Sequence, residues 1–373
     1  MANRSRPIPC ASASNADCAG RCRFPNTCRR SIFPITHERD IITAGHREIV
    51  FMQNTASHGQ RPMNAKRDDN LERWLLDRAR PLGAIRIAVV HPCDATSLAA
   101  ALDARRVGVI EPVLVAPRAK LERIARENKL DLSGLAIEDA AHSHDAAARA
   151  VALARAGKVE ALMKGSLHTD ELMGAVVAAD TGLRTARRIT HCFLMQTPAY
   201  PRRFIITDAA VNIAPTLEEK AEIVRNAIAL AQVIGVATPR VAILAAVETV
   251  NPRMPATLDA AALCKMADRG QIEGGMVDGP LAFDNAVSAE AARIKGITSN
   301  VAGRADVLVV PDLESGNMLA KQLEYLGGAS IAGIVMGARV PIVLTSRADT
   351  SESRIASCAL AALVAQRNRT SPP

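Results

Sequence analysis

Residues 85–116 read IRIAVVHPCDATSLAAALDARRVGVIEPVLVA. Two apolar runs, 85–90 and 113–116, enclose a helical stretch at 96–106. Neither run alternates between apolar and polar residues, as a strand with one wet face would. Strands apolar throughout and separated by helices belong to a parallel sheet covered on both faces. The same rhythm continues outward. Helical periodicity appears at 70–79, 120–128, 146–156, 169–178, 217–234, 258–269, 287–295, 318–326 and 355–366, and apolar strands at 160–163, 191–195, 204–207, 241–245, 307–310 and 340–344. Thr216 with Glu219 forms a capping box that opens the long helix. The fold class is α/β with mainly parallel sheets. In such sheets, ligands bind beyond the carboxyl ends of the strands.

A chain of 373 residues has room for two domains, at roughly 150 residues each. Hydrophobic residues make up 49% and aromatics only 2%. The core is therefore aliphatic, and few rings are left for stacking nucleic-acid bases. Residues 1–68 hold 11 of the 46 Lys and Arg and 5 of the 38 Asp and Glu, so the remaining 35 and 33 leave the bulk of the chain at +2 of the total +8. A near-neutral bulk gives no electrostatic reason to expect DNA or RNA. Residues 1–69 lack either period and read as disordered, or as an extension upstream of a true start at Met52 or Met63. No apolar run reaches the roughly 20 residues needed to span a bilayer. Cys93, Cys192, Cys264 and Cys358 sit in apolar stretches, as reduced thiols of a cytoplasmic protein would. Cys10, Cys18, Cys22 and Cys28 lack the CxxC spacing of a zinc site.

Polar residues just after strands are the candidates for chemistry. The sharpest cluster is Pro341-Ile342-Val343-Leu344-Thr345-Ser346-Arg347-Ala348-Asp349, a strand ending in a hydroxyl, a guanidinium and a carboxylate before a helix. A helix N-terminus with an arginine fork suits a phosphate, and the carboxylate can remove a proton. The same string also reads as plain loop, with Asp349 and Glu352 as a capping box. In Met163-Lys164-Gly165-Ser166-Leu167-His168-Thr169-Asp170, Lys164 can hold a phosphate, while His168 alone reads more readily as a loop residue. Three further clusters follow strands. They are Thr207-Asp208 through Asn212, Asp278-Gly279-Pro280 through Asp284-Asn285, and Pro311-Asp312 through Asn317. Asp-Gly-Pro reads as a turn and Asp284 as an N-cap. Five such clusters predict one lined cleft. Arg184, Arg187 and Arg188 precede a strand, either to receive an anionic tail or as a solvated connection. GxGxxG, GxxxxGK[ST], HExxH and GxSxG are absent, so dinucleotide-binding, P-loop, zincin and α/β-hydrolase readings have no support.

Six stretches run in order through most of the chain. They are Lys164-Gly165 with His168-Thr169, Gly182-Leu183-Arg184-Thr185, Ile206-Thr207-Asp208-Ala209-Ala210, Asp278-Gly279-Pro280-Leu281-Ala282-Phe283-Asp284, Pro311-Asp312-Leu313 with Gly316-Asn317 and Lys321, and Leu344-Thr345-Ser346-Arg347-Ala348-Asp349. Through them the chain, from about Pro81 to Gln366, resembles the phosphate acetyltransferase and phosphate butyryltransferase family. It looks closest to the acyltransferase half of fused enoyl-CoA hydratase/phosphate acetyltransferase proteins.

The resemblance implies two α/β/α domains about a cleft, of the isocitrate/isopropylmalate dehydrogenase kind, pairing as homodimers. Domain I would be residues 70–188 with 337–373, and domain II residues 189–336. It implies that acyl-CoA and inorganic phosphate bind together, with coenzyme A as substrate and no permanently bound cofactor or metal. A phosphate oxygen attacks the thioester carbonyl, CoA thiolate leaves and acyl phosphate forms. By resemblance Arg347 holds the phosphoryl group, Ser346 hydrogen-bonds near the sulfur, and a carboxylate takes the thiol proton in reverse. Substrate contacts are implied for Lys164, His168, Thr169, Arg184, Asp208, Asn212, Asp284, Asp312 and Asn317.

Two departures bear on these roles. Acetyltransferase members carry the catalytic carboxylate seven residues after the motif serine, and Ser353 stands there here. The Ser-Arg-Ala-Asp form is that of butyryltransferase-like members, which makes Asp349 the candidate base and Asp312 the reserve. Met173 stands near where the acetyltransferases carry an arginine. Overall resemblance favours acetyl and the Ser-Arg-Ala-Asp form favours butyryl. Two other readings stand beside these: a dehydrogenase of the related fold, and a non-catalytic acyl-CoA-sensing module.

Overall fold

A computed structural model describes residues 70–346 and 348–373. Residues 1–69, with the reading of an N-terminal extension and its four cysteines, lie outside the described residues, as does Arg347. After α1 (Leu71–Ala79), four strands β1 (Ile85–Val90), β2 (Ile110–Ala116), β3 (Ala136–Asp139) and β4 (Ala161–Lys164) are joined by α2 (Ala95–Arg106), α3 (Arg118–Glu127) and α4 (Ser143–Arg155). Helix α5 (Thr169–Val177) leads to β5 (Thr190–Gln196) and β6 (Phe204–Thr207). Then follow α6 (Leu217–Val233), β7 (Arg240–Leu244), α7 (Pro255–Asp268), β8 (Met276–Leu281), α8 (Phe283–Val287) and α9 (Ala289–Ile294). The chain closes with β9 (Val307–Val309), α10 (Leu313–Tyr325), β10 (Ser330–Met336), β11 (Ile342–Val343) and α11 (Ser351–Thr370).

All the strands described join one sheet, ordered β3-β2-β1-β4-β11-β10-β5-β6-β9-β7-β8. The first five in that order are mutually parallel. The last four, β6, β9, β7 and β8, are also mutually parallel. Between them β10 is antiparallel to both β11 and β5, and β5 is antiparallel to β6. The two parallel blocks therefore run in opposite directions. Strands β1, β4 and β11 end at one edge of the molecule, and β6, β8 and β9 end at the other.

The two faces of the sheet are covered differently. On one face a single apolar core gathers Leu75 of α1, Leu98 of α2, Leu121 of α3, Val224 of α6, Leu263 of α7 and Leu360 of α11. Burying a Leu or Ile of this kind contributes about 1.5–3 kcal/mol, so this layer dominates the core energetics. On the other face there are two separate clusters. One is centred on α4 and α5, with Val335 and Ile342 from the sheet. The other centres on α9 and α10, with Met195 and Ile331 from the sheet.

Several local expectations are corrected. The predicted helix 287–295 is two helices that meet at Ser288, whose hydroxyl accepts from Ala291 N at 3.2 Å and starts α9. Asp284 is not the cap of α8, because Ala282 holds that position and Asp284 is exposed in the first turn. Asp278-Gly279-Pro280 is strand β8, not a turn. β8 pairs only with β7 at the sheet edge, where proline withholds no needed donor. Asp349 does not cap α11. Thr350 does, through Ser353 N at 3.2 Å. Strands β3 and β10 escaped the sequence reading. β10 carries Gly333 in mid-strand, where glycine weakens the strand signal.

Candidate active site

β1 and β4 are neighbours whose onward connections diverge, β1 towards β2 and β4 towards β5 by way of α5. The gap at their carboxyl ends is a switch point, where such sheets hold ligands. A cavity of about 310 Å³ opens there. It is lined by Asp94, Thr96 and Ser97 from the start of α2, Gly165 and Ser166 after β4, Thr345 and Ser346 after β11, and Arg354 from α11. Gly165 fits because a Cβ would fall 2.7 Å from the His91 carbonyl oxygen. That carbonyl gathers the loop, accepting from Ser166 Oγ at 2.8 Å, Ser166 N at 3.0 Å and Cys93 N at 2.7 Å. His91 has φ of 52°, a left-handed conformation that a non-glycine residue adopts at a cost.

Ser346 is exposed at the cavity mouth and held on both backbone sides. Its N–H donates to Asp349 Oδ2 at 2.7 Å, and its carbonyl accepts from Arg354 Nη2 at 3.0 Å. The same guanidinium donates through Nη1 to the Thr96 carbonyl at 3.1 Å, tying the loop to α2, and Arg354 is buried. Lys321 of α10 reaches the loop from the opposite side, with Nζ 3.9 Å from Asp349 Oδ1 and 2.8 Å from Glu324. Burial raises the pKa of Asp349 above the usual carboxylate range, against the lowering pull of the Ser346 N–H and Lys321. Burial also lowers the His91 pKa, and the positive charge of Lys120 adds to the effect. Cys93, beside the cavity, has its thiol pushed up by burial to about 11. It is a core thiol and not a thiolate nucleophile.

The predicted residues do not line one cleft. Ser346, Asp349 and Lys164, the buried last residue of β4, share the edge just described. His168 and Thr169 are exposed at the start of α5, where the His168 N–H donates to Glu171 at 3.2 Å. Because the second parallel block is reversed, the residues after β6, β8 and β9 lie at the opposite edge. Asp208 is buried there and accepts from the N–H groups of His191, Ala210 and Val211 and from Asn212 Nδ2. Asn212 also accepts from Arg188 at 2.5 Å. Asn212, Arg184, Arg187 and Arg188 border a cavity of about 520 Å³ that also carries Glu218, Glu219 and Glu222. Asp312 caps α10 through Ser315 N at 2.8 Å, and Asn317 donates to the Ala209 carbonyl at 3.1 Å. Asp284 stands apart, 3.5 Å from Lys295. Sequence reading missed Asp94, Ser97, His91 and Arg354. His-Pro-Cys-Asp directly after β1 was the available signal for His91 and Asp94. Among the described residues, no group of His, Cys, Asp and Glu is arranged to hold a metal, and no helix is long and apolar enough to cross a membrane.

A mainly parallel α/β fold with hydroxyls, a guanidinium and a carboxylate at a strand-end switch point defines an enzyme acting on an anionic substrate. Residues 141–362 match the family model described as phosphate acetyl/butaryl transferase, and this chain belongs to that family. It is 60% identical over 295 residues to the phosphate acetyltransferase of Rhizobium meliloti, covering 79% of this chain and 93% of that one. It is 42% identical over 280 residues to the phosphate butyryltransferase of Clostridium acetobutylicum, covering 75% and 93%. Among solved structures, a branched-chain phosphotransacylase from Enterococcus faecalis V583 superposes with a TM-score of 0.67 at 30% identity, over 75% of this chain and 99% of that one.

Proposed function

We propose that this chain transfers an acetyl group reversibly between coenzyme A and inorganic phosphate, by direct attack in a ternary complex. The observation that carries the reading is Ser346, fixed between the Asp349 carboxylate and the Arg354 guanidinium at the mouth of a hydroxyl-lined cavity. A phosphate oxygen attacks the thioester carbon, a tetrahedral oxyanion forms, and collapse breaks the C–S bond to give acetyl phosphate and CoA thiolate. In reverse, Asp349 accepts the thiol proton as the sulfur attacks. A carboxylate whose pKa is raised by burial is a stronger base than an ordinary one, which suits that step. Ser346 donates near the sulfur, and Arg347 meets the charge on the phosphoryl group. Holding both substrates together supplies the proximity term. The higher identity to an acetyltransferase than to a butyryltransferase favours the acetyl group. We place the enzyme in the cytoplasm, in acetate metabolism and as a homodimer. The free thiols of Cys93, Cys192, Cys264 and Cys358 support the first of these.

The test is phosphate- or arsenate-dependent release of free thiol from acetyl-CoA and butyryl-CoA. Anion-dependent release, faster with acetyl-CoA, is expected. Faster release with butyryl-CoA reverses the chain-length assignment, and no release with either removes the acyltransferase reading. Arg347→Ala lowers turnover at least about tenfold if the side chain meets transition-state charge. Unchanged turnover takes Arg347 out of the mechanism.

A further inference from the structure

Helix α10 lays a charged pair against the loop that carries Ser346. Lys321 and Glu324 stand about one turn apart on it, where side chains meet, and Lys321 Nζ is 2.8 Å from a Glu324 carboxylate oxygen. The same ammonium is 3.9 Å from Asp349 Oδ1, across the gap between helix and loop. The Tyr325 ring faces it as well, with its centroid 5.6 Å away. One ammonium therefore serves two carboxylates, one on its own helix and one on the loop. Both carboxylates are well shielded, with 13% of the Glu324 side chain and 15% of the Asp349 side chain exposed. Charges this far out of water act on one another more strongly than the same charges at a surface. Neither Lys321 nor Glu324 lines the cavity at Ser346. Glu324 borders a separate cavity of about 460 Å³ with Tyr325, Ala348 and Thr350. The pair therefore acts on a substrate at Ser346 through Asp349 and not by touching it.

The influences on Asp349 pull in opposite directions. Burial raises its pKa, the Ser346 N–H and Lys321 lower it, Glu324 raises it, and Arg354 of α11 lowers it. For Lys321, burial opposes the charge, yet Glu324 and Asp349 outweigh burial and hold its pKa above the ordinary lysine value. Lys321 is thus charged throughout the range in which a carboxylate titrates. Burial lowers the pKa of His191 of β5 to about 4, Asp208 raises it and Lys321 lowers it, so that imidazole brings no charge to the pair near pH 7. We propose that Lys321 and Glu324 are positioning residues that set the proton affinity of Asp349, and through it the pH at which the enzyme takes the proton from the CoA thiol. The proposal rests on the acyltransferase reading above. With both carboxylates ionised, the three groups carry one net negative charge beside substrates that are themselves anionic. A proton on Asp349 makes the set neutral. Without Lys321 the ionised set would carry two negative charges, and Asp349 would keep its proton to higher pH. Without Glu324 the ammonium would answer Asp349 alone, and the proton would leave at lower pH. The two side chains move the base in opposite directions.

The experiment uses the full chain and reads Asp349 directly. Protein carrying carbon-13 at the aspartate side-chain carboxyl is titrated by NMR, and the Asp349 signal is assigned by its loss in Asp349→Asn. Lys321→Met removes the charge and keeps the length. Lys321→Arg keeps the charge, and Glu324→Gln removes the second carboxylate at the same size. We expect the Asp349 midpoint to rise by about one pH unit in Lys321→Met, the low end for loss of an opposite charge at such a distance. It returns close to wild type in Lys321→Arg and falls in Glu324→Gln. The acidic limb of the pH profile for CoA acylation by acetyl phosphate moves with the midpoint in each variant. Unchanged midpoints in Lys321→Met and Glu324→Gln overturn the proposal, as do midpoints that move the same way in both, which would mark general damage to the loop. An acidic limb that stays put while the midpoint moves also overturns it, because Asp349 would then not be the base. If the wild type transfers no acyl group, the acyltransferase reading fails, and the titration alone decides whether the pair sets the proton affinity of Asp349.

Discussion

At Asp349 the fold works against the charge it carries. Burial raises its pKa, while the Ser346 N–H, Lys321 and Arg354 pull it down without winning. A carboxylate with a raised folded pKa adds most stability below its unfolded pKa, and that contribution is lost as pH rises through the folded value. Near neutral pH its ionised form is therefore a liability to the fold, so Asp349→Asn removes a cost while Asn Oδ1 can still accept from Ser346 N. We expect the rate of CoA acylation by acyl phosphate to fall by about a hundredfold or more, as loss of a general base does, with the melting temperature near pH 8 unchanged or slightly raised. Melts at pH 5 and pH 8 beside initial rates check this. A lower melting temperature with an intact rate would make Asp349 a structural residue. Ser346 and Asp349 were legible in the sequence because an apolar strand ends in a hydroxyl, a guanidinium and a carboxylate just ahead of a helix. The cap of α11 was not. Asp349 and Thr350 are both good caps, each followed three residues later by a plausible partner, and only the backbone decides between them. Arg354 was illegible for a different reason. It reaches Thr96, 258 residues away in sequence, and such a contact is a property of the fold, not of its neighbours in the chain.

Helix starts fix the geometry of the site at the next scale. Asp94 caps α2 through Ser97 N at 2.7 Å, and Thr350 caps α11 through Ser353 N at 3.2 Å. These two helices present Ser97 and Arg354 to the same cavity. Thr350→Ala should cost about 1 kcal/mol of stability, the usual value of an N-cap, or roughly 2 °C in melting temperature for a chain of this size. Its effect on activity should exceed that small loss, because the first turn of α11 carries the guanidinium that holds the Ser346 carbonyl and the Thr96 carbonyl. A several-fold fall in turnover, restored by Thr350→Ser, is the expected outcome. Full activity in Thr350→Ala would show that the loop holds its shape without the cap. Most elements were legible because their strands are apolar throughout and their helices amphipathic. Element ends were less so. Helix α10 starts five residues earlier than its periodicity suggests, since Asp312 as cap recruits a polar first turn. β8 was hidden by a proline that only its place at the sheet edge permits.

For the whole molecule, strand direction decides what the strand-end clusters mean, and a single sequence does not carry direction. The five clusters follow apolar strands alike, yet those after β4 and β11 lie at one edge and those after β6, β8 and β9 at the other, because β10 and β5 reverse the sheet between the two parallel blocks. The same sheet bears on the proposed division into 70–188 with 337–373 and 189–336. On the divided face, the break between the two apolar clusters falls near where those segments meet. On the other face, one apolar layer runs through, with Leu98 and Leu360 from the first segment and Val224 and Leu263 from the second in the same core. Helix α11 ties the segments further, Arg367 donating to the Ala229 carbonyl of α6 at 3.4 Å. A segment that melted alone would expose its half of that shared layer to water and lose burial on both sides of the boundary. We therefore expect residues 70–373 to unfold in one calorimetric transition, with van't Hoff and calorimetric enthalpies in agreement. Two resolved transitions would mean that the break between the two clusters, and not the shared layer, governs cooperativity, and that the two segments are independent folding units joined by a continuous sheet.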